Sequence, residues 1–304
     1  QTMKAVRVLA LRGRGRELGR GPACSERKLC TVAVGVSGGV DSSVAALLLK
    51  RAGHDVIGVH MTNWDFEDEG TAWCGEKERE DARKVCEQLG IGFTEVSFVK
   101  EYWKRVFEPF VAGLCAGGTP NPDVSCNRHI KFDAFTKHAL SNGAAWVATG
   151  HYARLRRTEC GRTELLSALD EEKDQSYFLA TVRQEALRTS LFPLGELHKP
   201  QVRAIAAAAG LHVAAKRDST GLCFVGKRRF RNFIVDYLPP QREGPMVDID
   251  SHATIATHEG LPLYTHGQRA RVGGLPSRWY VADKDVVSNT LYVCEGGEHP
   301  ALRT

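Results

Sequence analysis

The chain predicts an α/β fold, a parallel β-sheet with helices on both faces, followed by a smaller β-rich region. Two observations predict it. Up to about residue 220, short apolar runs rich in β-branched residues alternate with helix-length amphipathic stretches. Beyond about Gly221, Pro239-Pro240, Gly244-Pro245, Gly273-Gly274 and short alternating segments between Met246 and Ile255 replace that pattern.

Taken in order, Thr31 to Val36 reads as a buried strand, and Ser42 to Ala52 reads as a helix stopped by Gly53. Val56–Met61 reads as strand, Glu76–Leu89 as helix, Phe93–Phe98 as strand and Glu101–Leu114 as helix. Gly117 to Cys126, with two prolines, reads as a loop; Ile130–Ser141 returns to helix and Ala145–Thr149 to strand. A hairpin is expected from Ala153 to Leu169 around Glu159-Cys160-Gly161, and a helix from Pro200 to Ala209 closed by Gly210. The alternation is Rossmann-like, and such sheets bind ligands at the carboxyl ends of their strands. The phosphate-loop candidate below, the segment after Val59 and Gly150-His151 all fall there.

The chain has 304 residues, 25% charged and 42% hydrophobic, which marks a globular protein large enough for two domains. No apolar run reaches membrane-spanning length. A net charge of +5 permits an RNA partner without demanding one. The nine cysteines, at 24, 30, 74, 86, 115, 126, 160, 223 and 294, are scattered and lack paired zinc spacing. A chain of this size needs no disulfide scaffold, so a reducing compartment is expected.

Residues 1–28 are Arg-rich, with only Glu17 and Glu26 as acids. That composition resembles an organelle leader and points to the mitochondrion, with a bacterial-type cytoplasm as the alternative. The expected division is a basic leader over 1–28, an ATP-binding catalytic domain over 29–220, a small central domain over 221–280 and the start of an incomplete C-terminal β-barrel over 281–304.

The strongest local signal is Gly35-Val36-Ser37-Gly38-Gly39-Val40-Asp41-Ser42-Ser43, placed between a strand and a helix N-terminus. Glycines let backbone approach a ligand, and the first helical N–H groups attract an anion. There is no Gly-Lys-Ser/Thr, so the Walker pattern is absent and γ-phosphoryl transfer is disfavoured. The loop resembles the signature of the PP-loop ATP pyrophosphatases, which adenylate an oxygen and release pyrophosphate.

Further motifs narrow the resemblance. They include Gly58-Val59-His60-Met61-Thr62-Asn63-Trp64, Thr119 to Asn127 with Ile130-Lys131-Phe132, and Ala148 to Arg154. Lys173 to Leu179, Phe192-Pro193-Leu194-Gly195, Asp218 to Gly226 and Gly267-Gln268-Arg269 follow in order. Together they resemble the tRNA-specific 2-thiouridylases (MnmA-like, with mitochondrial counterparts) from about residue 30 onward. His266 stands where that family usually has an apolar residue.

The resemblance implies ATP-dependent replacement of the C2 oxygen of the tRNA wobble uridine by sulfur. It places ATP on Gly35, Val36, Ser37, Gly38, Gly39, Val40, Asp41, Ser42, Met61 and Gly150, with Mg²⁺ on the pyrophosphate. Cys223 would carry a persulfide supplied by a donor protein, and Cys126 would release the sulfur by attacking Cys223. Asp123 would be an acid or base at the uracil ring, or a turn-forming residue. Asn121, Pro122, Asp123, His151, Lys173, Asp174 and Gln175 would contact tRNA, with a structural hydrogen bond competing for His151. Lys227 to Arg231 mixes cations with Phe230 and reads as RNA-facing.

Three alternatives stand beside this. One is a PP-loop synthetase or amidotransferase acting on a small molecule. Another is thiolation through an iron–sulfur cluster on Asp123, Cys126 and Cys223. The third is a non-catalytic tRNA-binding remnant.

Overall fold

The computed structural model describes residues 30–65, 72–218, 225, 228–274 and 276–303, with backbone alone at 72–74. The Arg-rich stretch 1–28, Cys223 and Lys227 lie outside the described residues.

The first half follows the predicted alternation. Strand β1 (Thr31–Gly35) leads through the glycine turn into helix α1 (Val40–Arg51), and β2 (Asp55–Thr62) into helix α2 (Ala72–Leu89). Then come β3 (Gly92–Ser97), β4 (Trp146–Ala148), the hairpin β5 (Arg154–Arg157) and β6 (Thr163–Leu166), and β7 (Ser190–Leu191). The main sheet runs β3-β2-β1-β4-β7, and every pairing in it is parallel. Its central strand β1 is almost wholly buried, which is why it reads as a continuous apolar run.

Each face has its own core. On one, Val32, Val34, Val44 and Leu47 pack with Val85, Val202 and Leu211. On the other, Ala33 and Val147 pack with Tyr102, Phe107, Phe110 and Phe135. Trp64, Phe107, Phe233 and Tyr237 meet there edge-on or tilted, with ring centroids 4.8–6.2 Å apart.

Two stretches differ from the sequence expectation. The expected loop over 117–126 ends in a helix, Pro122–Cys126. Asn121 caps it, its side chain accepting from Asp123 N at 3.0 Å and Val124 N at 3.4 Å, and Pro122 supplies the first helical φ. Cys126 therefore sits at a helix end, not in an irregular segment. The two long helices are also uneven, with π-helical stretches at Trp103–Phe107 and Asn127–Ala134. Phe132 departs from helical geometry (φ −111°, ψ 15°).

The last strands are β8 (Gly244–Asp248), β9 (Thr254–His258), β10 (Arg269–Ala270), β11 (Trp279–Asp285) and β12 (Thr290–Glu295). They form a second sheet, β10-β11-β12-β8-β9, around Met246, Val281, Leu291 and Val293. This sheet runs across the expected 280/281 boundary. Its β11–β12 turn reaches the first domain: a Cβ at Gly117 would lie 2.6 Å from Val286, and Lys284 Nζ donates to Gly118 O at 3.2 Å. His266, the unexplained departure, donates from Nδ1 to Ala282 O at 2.7 Å and so ties the turn before β10 to β11.

In the basic run after Val225, Arg229 and Arg231 are exposed while Arg228 and Phe230 are half-buried. Phe230 packs on Phe110 with centroids 6.0 Å apart, Arg231 pairs with Glu259, and the Arg228 guanidinium lies 4.6 Å over the Phe233 ring. The expected base-stacking ring is thus engaged in the core.

Phe233 is fully buried in the aromatic cluster that joins the chain after residue 225 to the main sheet. Phe233→Ala is expected to lower stability by about 3–5 kcal/mol, read as a lower urea midpoint. An unchanged midpoint would show that the cluster does not hold the two parts together.

Candidate active site

The phosphate-loop candidate is shaped by sterics. Gly38 has φ +69°, and a Cβ there would lie 2.3 Å from Glu78 O, so only glycine fits against α2. Val36 N donates to Val59 O at 2.9 Å, and His60 Nδ1 donates to Val36 O at 2.9 Å. Burial lowers the His60 pKa, which keeps the ring neutral in that role. Met61 lies over Gly35, its Cε 3.1 Å from where a Cβ would be.

At the start of α1 the N-cap Gly39 has no side-chain acceptor, so first-turn N–H groups are open to a bound anion. Ser37 N donates to Ser42 Oγ at 3.2 Å, and Ser43 Oγ donates to Gly39 O at 2.7 Å. These bonds fix the loop from inside.

Asp41 points into a cluster of charges. Lys199 Nζ donates to Asp41 Oδ1 at 2.8 Å and Oδ2 at 2.7 Å, and meets Asp218 Oδ1 at 2.9 Å. Tyr152 OH donates to Asp41 Oδ1 at 2.8 Å. Burial and the Asp41 charge raise the Tyr152 pKa, so the phenol stays a donor. Arg203 reaches Asp218 at 2.6 Å, and Lys173 lies 3.8 Å from it. A second lysine, Lys216, donates to Gly38 O at 2.9 Å and pairs with Asp81 at 2.6 Å. Burial opposes the Asp81 charge, but Lys216 and His212 outweigh it and lower the pKa.

The loop Thr149–Tyr152 joins this cluster to the thiol helix, the continuous helical run from Pro122 through Cys126 to Ala134. A Cβ at Gly150 would lie 2.7 Å from Ser42 N, so the loop presses on the first turn of α1. His151 is buried, and its ring bonds Thr149 Oγ1 at 2.7 Å. Lys131 Nζ lies 3.5 Å from the other ring nitrogen. With Lys131 donating, that nitrogen accepts and Nδ1 carries the proton to Thr149. Burial, then the Lys131 charge, holds the His151 pKa well below its usual value, so the ring is neutral.

Lys131 also acts on Asp123, one turn away from the buried Cys126 thiol. Burial raises the Asp123 pKa and Lys131 partly offsets it. The Asp123 carboxylate makes no hydrogen bond or ion pair to a described residue. Asn121 does the local capping instead, which leaves Asp123 available for chemistry. Pro122 is buried at the helix start.

Over residues 30–227 the chain matches the family described as tRNA methyl transferase HUP domain, and over 231–295 the one described as tRNA methyl transferase PRC-barrel domain. It is 52% identical over 273 residues to the tRNA-specific 2-thiouridylase MnmA of Bacillus licheniformis, covering 89% of this chain and 73% of that protein. The chain belongs to the tRNA-specific 2-thiouridylase family. A Streptococcus pyogenes protein of the same name is 50% identical over 277 residues, covering 89% of this chain and 74% of its own. Among solved structures, NMN synthetase from Francisella tularensis overlaps 69% of this chain and 73% of its own, with TM-score 0.38 and 17% identity.

Within this thiouridylase fold, the remaining expected contact residues serve the scaffold in part. Asp174 accepts from Ala168 N at 2.7 Å and Ser176 Oγ at 2.5 Å. Gln175 Oε1 accepts from Tyr152 N at 3.0 Å, and Gln175 N donates to Tyr152 O at 2.9 Å. The next short helix, Ser176–Leu179, docks on the thiol helix through Asn127 Nδ2, which donates to Phe178 O at 3.0 Å. Lys173 is the exposed member of its triplet.

Sequence reasoning missed Lys131, Tyr152, Lys199 and Lys216 as site residues. The other cysteines separate by environment. Burial pushes the Cys86 thiol up to about 11 and also raises Cys294, as inert core thiols require. Cys160 is exposed on the β5–β6 turn and Cys30 is disulfide-bonded.

Two outcomes are expected. Lys199→Met leaves Asp41 and Asp218 without their shared cation, and should lower stability by roughly 2 kcal/mol after allowing for partial exposure. A urea titration checks it; no loss would remove Lys199 as the centre of the cluster. For Asp123, the raised pKa means ionisation costs stability in the folded state. That cost is absent below the ordinary carboxylate pKa of about 4 and grows as pH rises above it. Asp123→Asn should therefore melt higher than the parent at pH 7, with the gap closing below about pH 4. A gap of the opposite sign at pH 7 would contradict the half-buried carboxylate that no hydrogen bond from a described residue compensates.

Proposed function

We propose that the protein thiolates the wobble uridine of tRNA, using ATP to activate the C2 oxygen and Cys223 to deliver sulfur. One observation carries the reading. The loop Thr149–Tyr152 touches the phosphate-loop helix at Ser42 and the thiol helix through His151 and Lys131. ATP chemistry and thiol chemistry thus share one wall.

A uracil oxygen is a poor leaving group, and transfer of AMP to it makes a good one. Gly35 to Ser42, Met61 and Gly150 would hold the nucleotide, with the open N–H groups of α1 facing phosphate. Lys199 and Lys216 flank the loop, each ion-paired to carboxylates, Lys199 to Asp41 and Asp218 and Lys216 to Asp81. The described residues contain no group of three or more His, Cys, Asp or Glu side chains placed to hold a metal. A Mg²⁺ ion arriving with ATP would draw its ligands chiefly from phosphate oxygens and water.

The terminal sulfur of a Cys223 persulfide attacks C2, forming a carbon–sulfur bond. The Cys126 thiolate then attacks the Cys223 sulfur. That breaks the sulfur–sulfur bond, leaves sulfur on C2 and forms a Cys126–Cys223 disulfide. AMP departs with the original C2 oxygen, and an external thiol reduces the disulfide. Asp123 is placed to move a proton at the ring, and its raised pKa suits that task. Asn121, His151 and Lys173 to Gln175 would line the approach of the tRNA, and a donor protein would reload the persulfide.

The test is thiolation of unmodified tRNA with ATP, Mg²⁺ and a persulfide donor, resolved on a mercury-containing gel. A retarded band is expected from the parent and none from Cys126→Ser or Cys223→Ser. A band that persists in Cys223→Ser would refute the persulfide route, and a colourless anaerobic protein would argue against the iron–sulfur variant. AMP formation on a small molecule with no tRNA present would instead favour a synthetase.

A further inference from the structure

A cleft of about 460 Å³ lies apart from the phosphate loop, lined by Arg105, Arg128, His129, Asp133, Lys137 and Arg183, with Pro109 at its edge. Three chain segments build it: the helical run before Cys115, the run that follows Cys126, and the N-cap of the helix Gln184–Arg188. Four cations face a single carboxylate. Asp133 engages two of them, Arg105 at 2.7 Å and Lys137 at 2.6 Å. Arg128 and Arg183 are exposed and make no side-chain hydrogen bond or ion pair to a described residue. Their charges fall on His129, whose pKa is lowered by its burial and then by Arg128 and Arg105, so this ring adds no proton at neutral pH.

We infer that this cleft binds a backbone phosphate of the tRNA substrate. The inference rests on the tRNA reading above and adds a contact site to it. Chemistry selects phosphate over base. A guanidinium fork matches phosphate oxygens in a bidentate manner, and the lining offers no Phe, Tyr or Trp ring for a base to stack on, only the His129 imidazole. Arg128 follows Cys126 by two residues on one helical run, so the two side chains leave the helix about 200° apart and the cleft lies on the opposite flank from the buried thiol. A phosphate held there fixes the register of the tRNA on the protein without reading sequence. Asp133 holds Arg105 and Lys137 in place, leaving Arg128 and Arg183 as the two donors for the ligand.

The experiment uses the full chain and unmodified tRNA in filter-binding titrations at several KCl concentrations. Arg128→Gln, Arg183→Gln and the double variant are compared with the parent and with Arg83→Gln, a surface arginine paired to Glu80 and Glu87 on α2. Each cleft variant should weaken binding roughly tenfold. The double variant should flatten the slope of log K against log [KCl] by about 1–2. Arg83→Gln should match the parent, and ATP affinity should be unchanged throughout. If the parent binds tRNA and the double variant binds equally with the same slope, the cleft is not a phosphate site and the thiolation reading survives. If the parent itself does not bind tRNA, both fall. Unchanged tRNA binding with lost stimulation by the sulfur-donor protein would give the cleft to a protein partner and overturn the inference.

Discussion

The site depends on one buried cation. The Lys199 ammonium, only 8% exposed as a residue, sits between Asp41 and Asp218. An ion taken out of water is costly unless its partners surround it, and here two carboxylates do so. The three residues belong to distant parts of the chain: the first turn of α1, the start of the helix Lys199–Ala208, and the last described stretch before the segment with Cys223. Lys199 N also donates to Asp170 at 2.8 Å, so its backbone is held as firmly as its side chain. The cluster ties the glycine turn after β1 to the stretch that ends at Asp218.

A second set of groups turns burial into chemistry. His151 is kept neutral by burial and by Lys131, while Asp123 is pushed towards its protonated form by burial against the same lysine. One lysine thus biases a ring and a carboxyl that flank the thiol helix. Because Asn121 takes over the capping of that helix, Asp123 is spared the backbone bonds that its Asn-Pro-Asp setting suggests. The capping role falls to Asn121, two positions before Asp123.

What was legible in the sequence follows from distance along the chain. The glycine turn between Val36 and Val40 announced itself because strand, turn and helix are adjacent and each has a local signature. The parallel sheet was legible for the same reason. The helix Pro122–Cys126 was not, since two prolines in ten residues resemble a loop until Asn121 is recognised as its cap. Lys199 and Asp41 are separated by 158 positions, and no local pattern reports such a pair. Phe230 and Arg231 show the converse. An aromatic among cations suggests nucleic acid, yet the ring was needed by Phe110 and the cation by Glu259.

The contact between the two sheets has a mechanical meaning. Val286 fills the space beside Gly117, and Lys284 holds the Gly118 carbonyl. Those glycines begin the short tether that ends at the Asn121 cap. The β11–β12 turn therefore works as a thumb on the root of the thiol helix. A chain cut between the sheets would keep the glycine turn after β1 but lose the packing that bears on the start of the helix ending at Cys126.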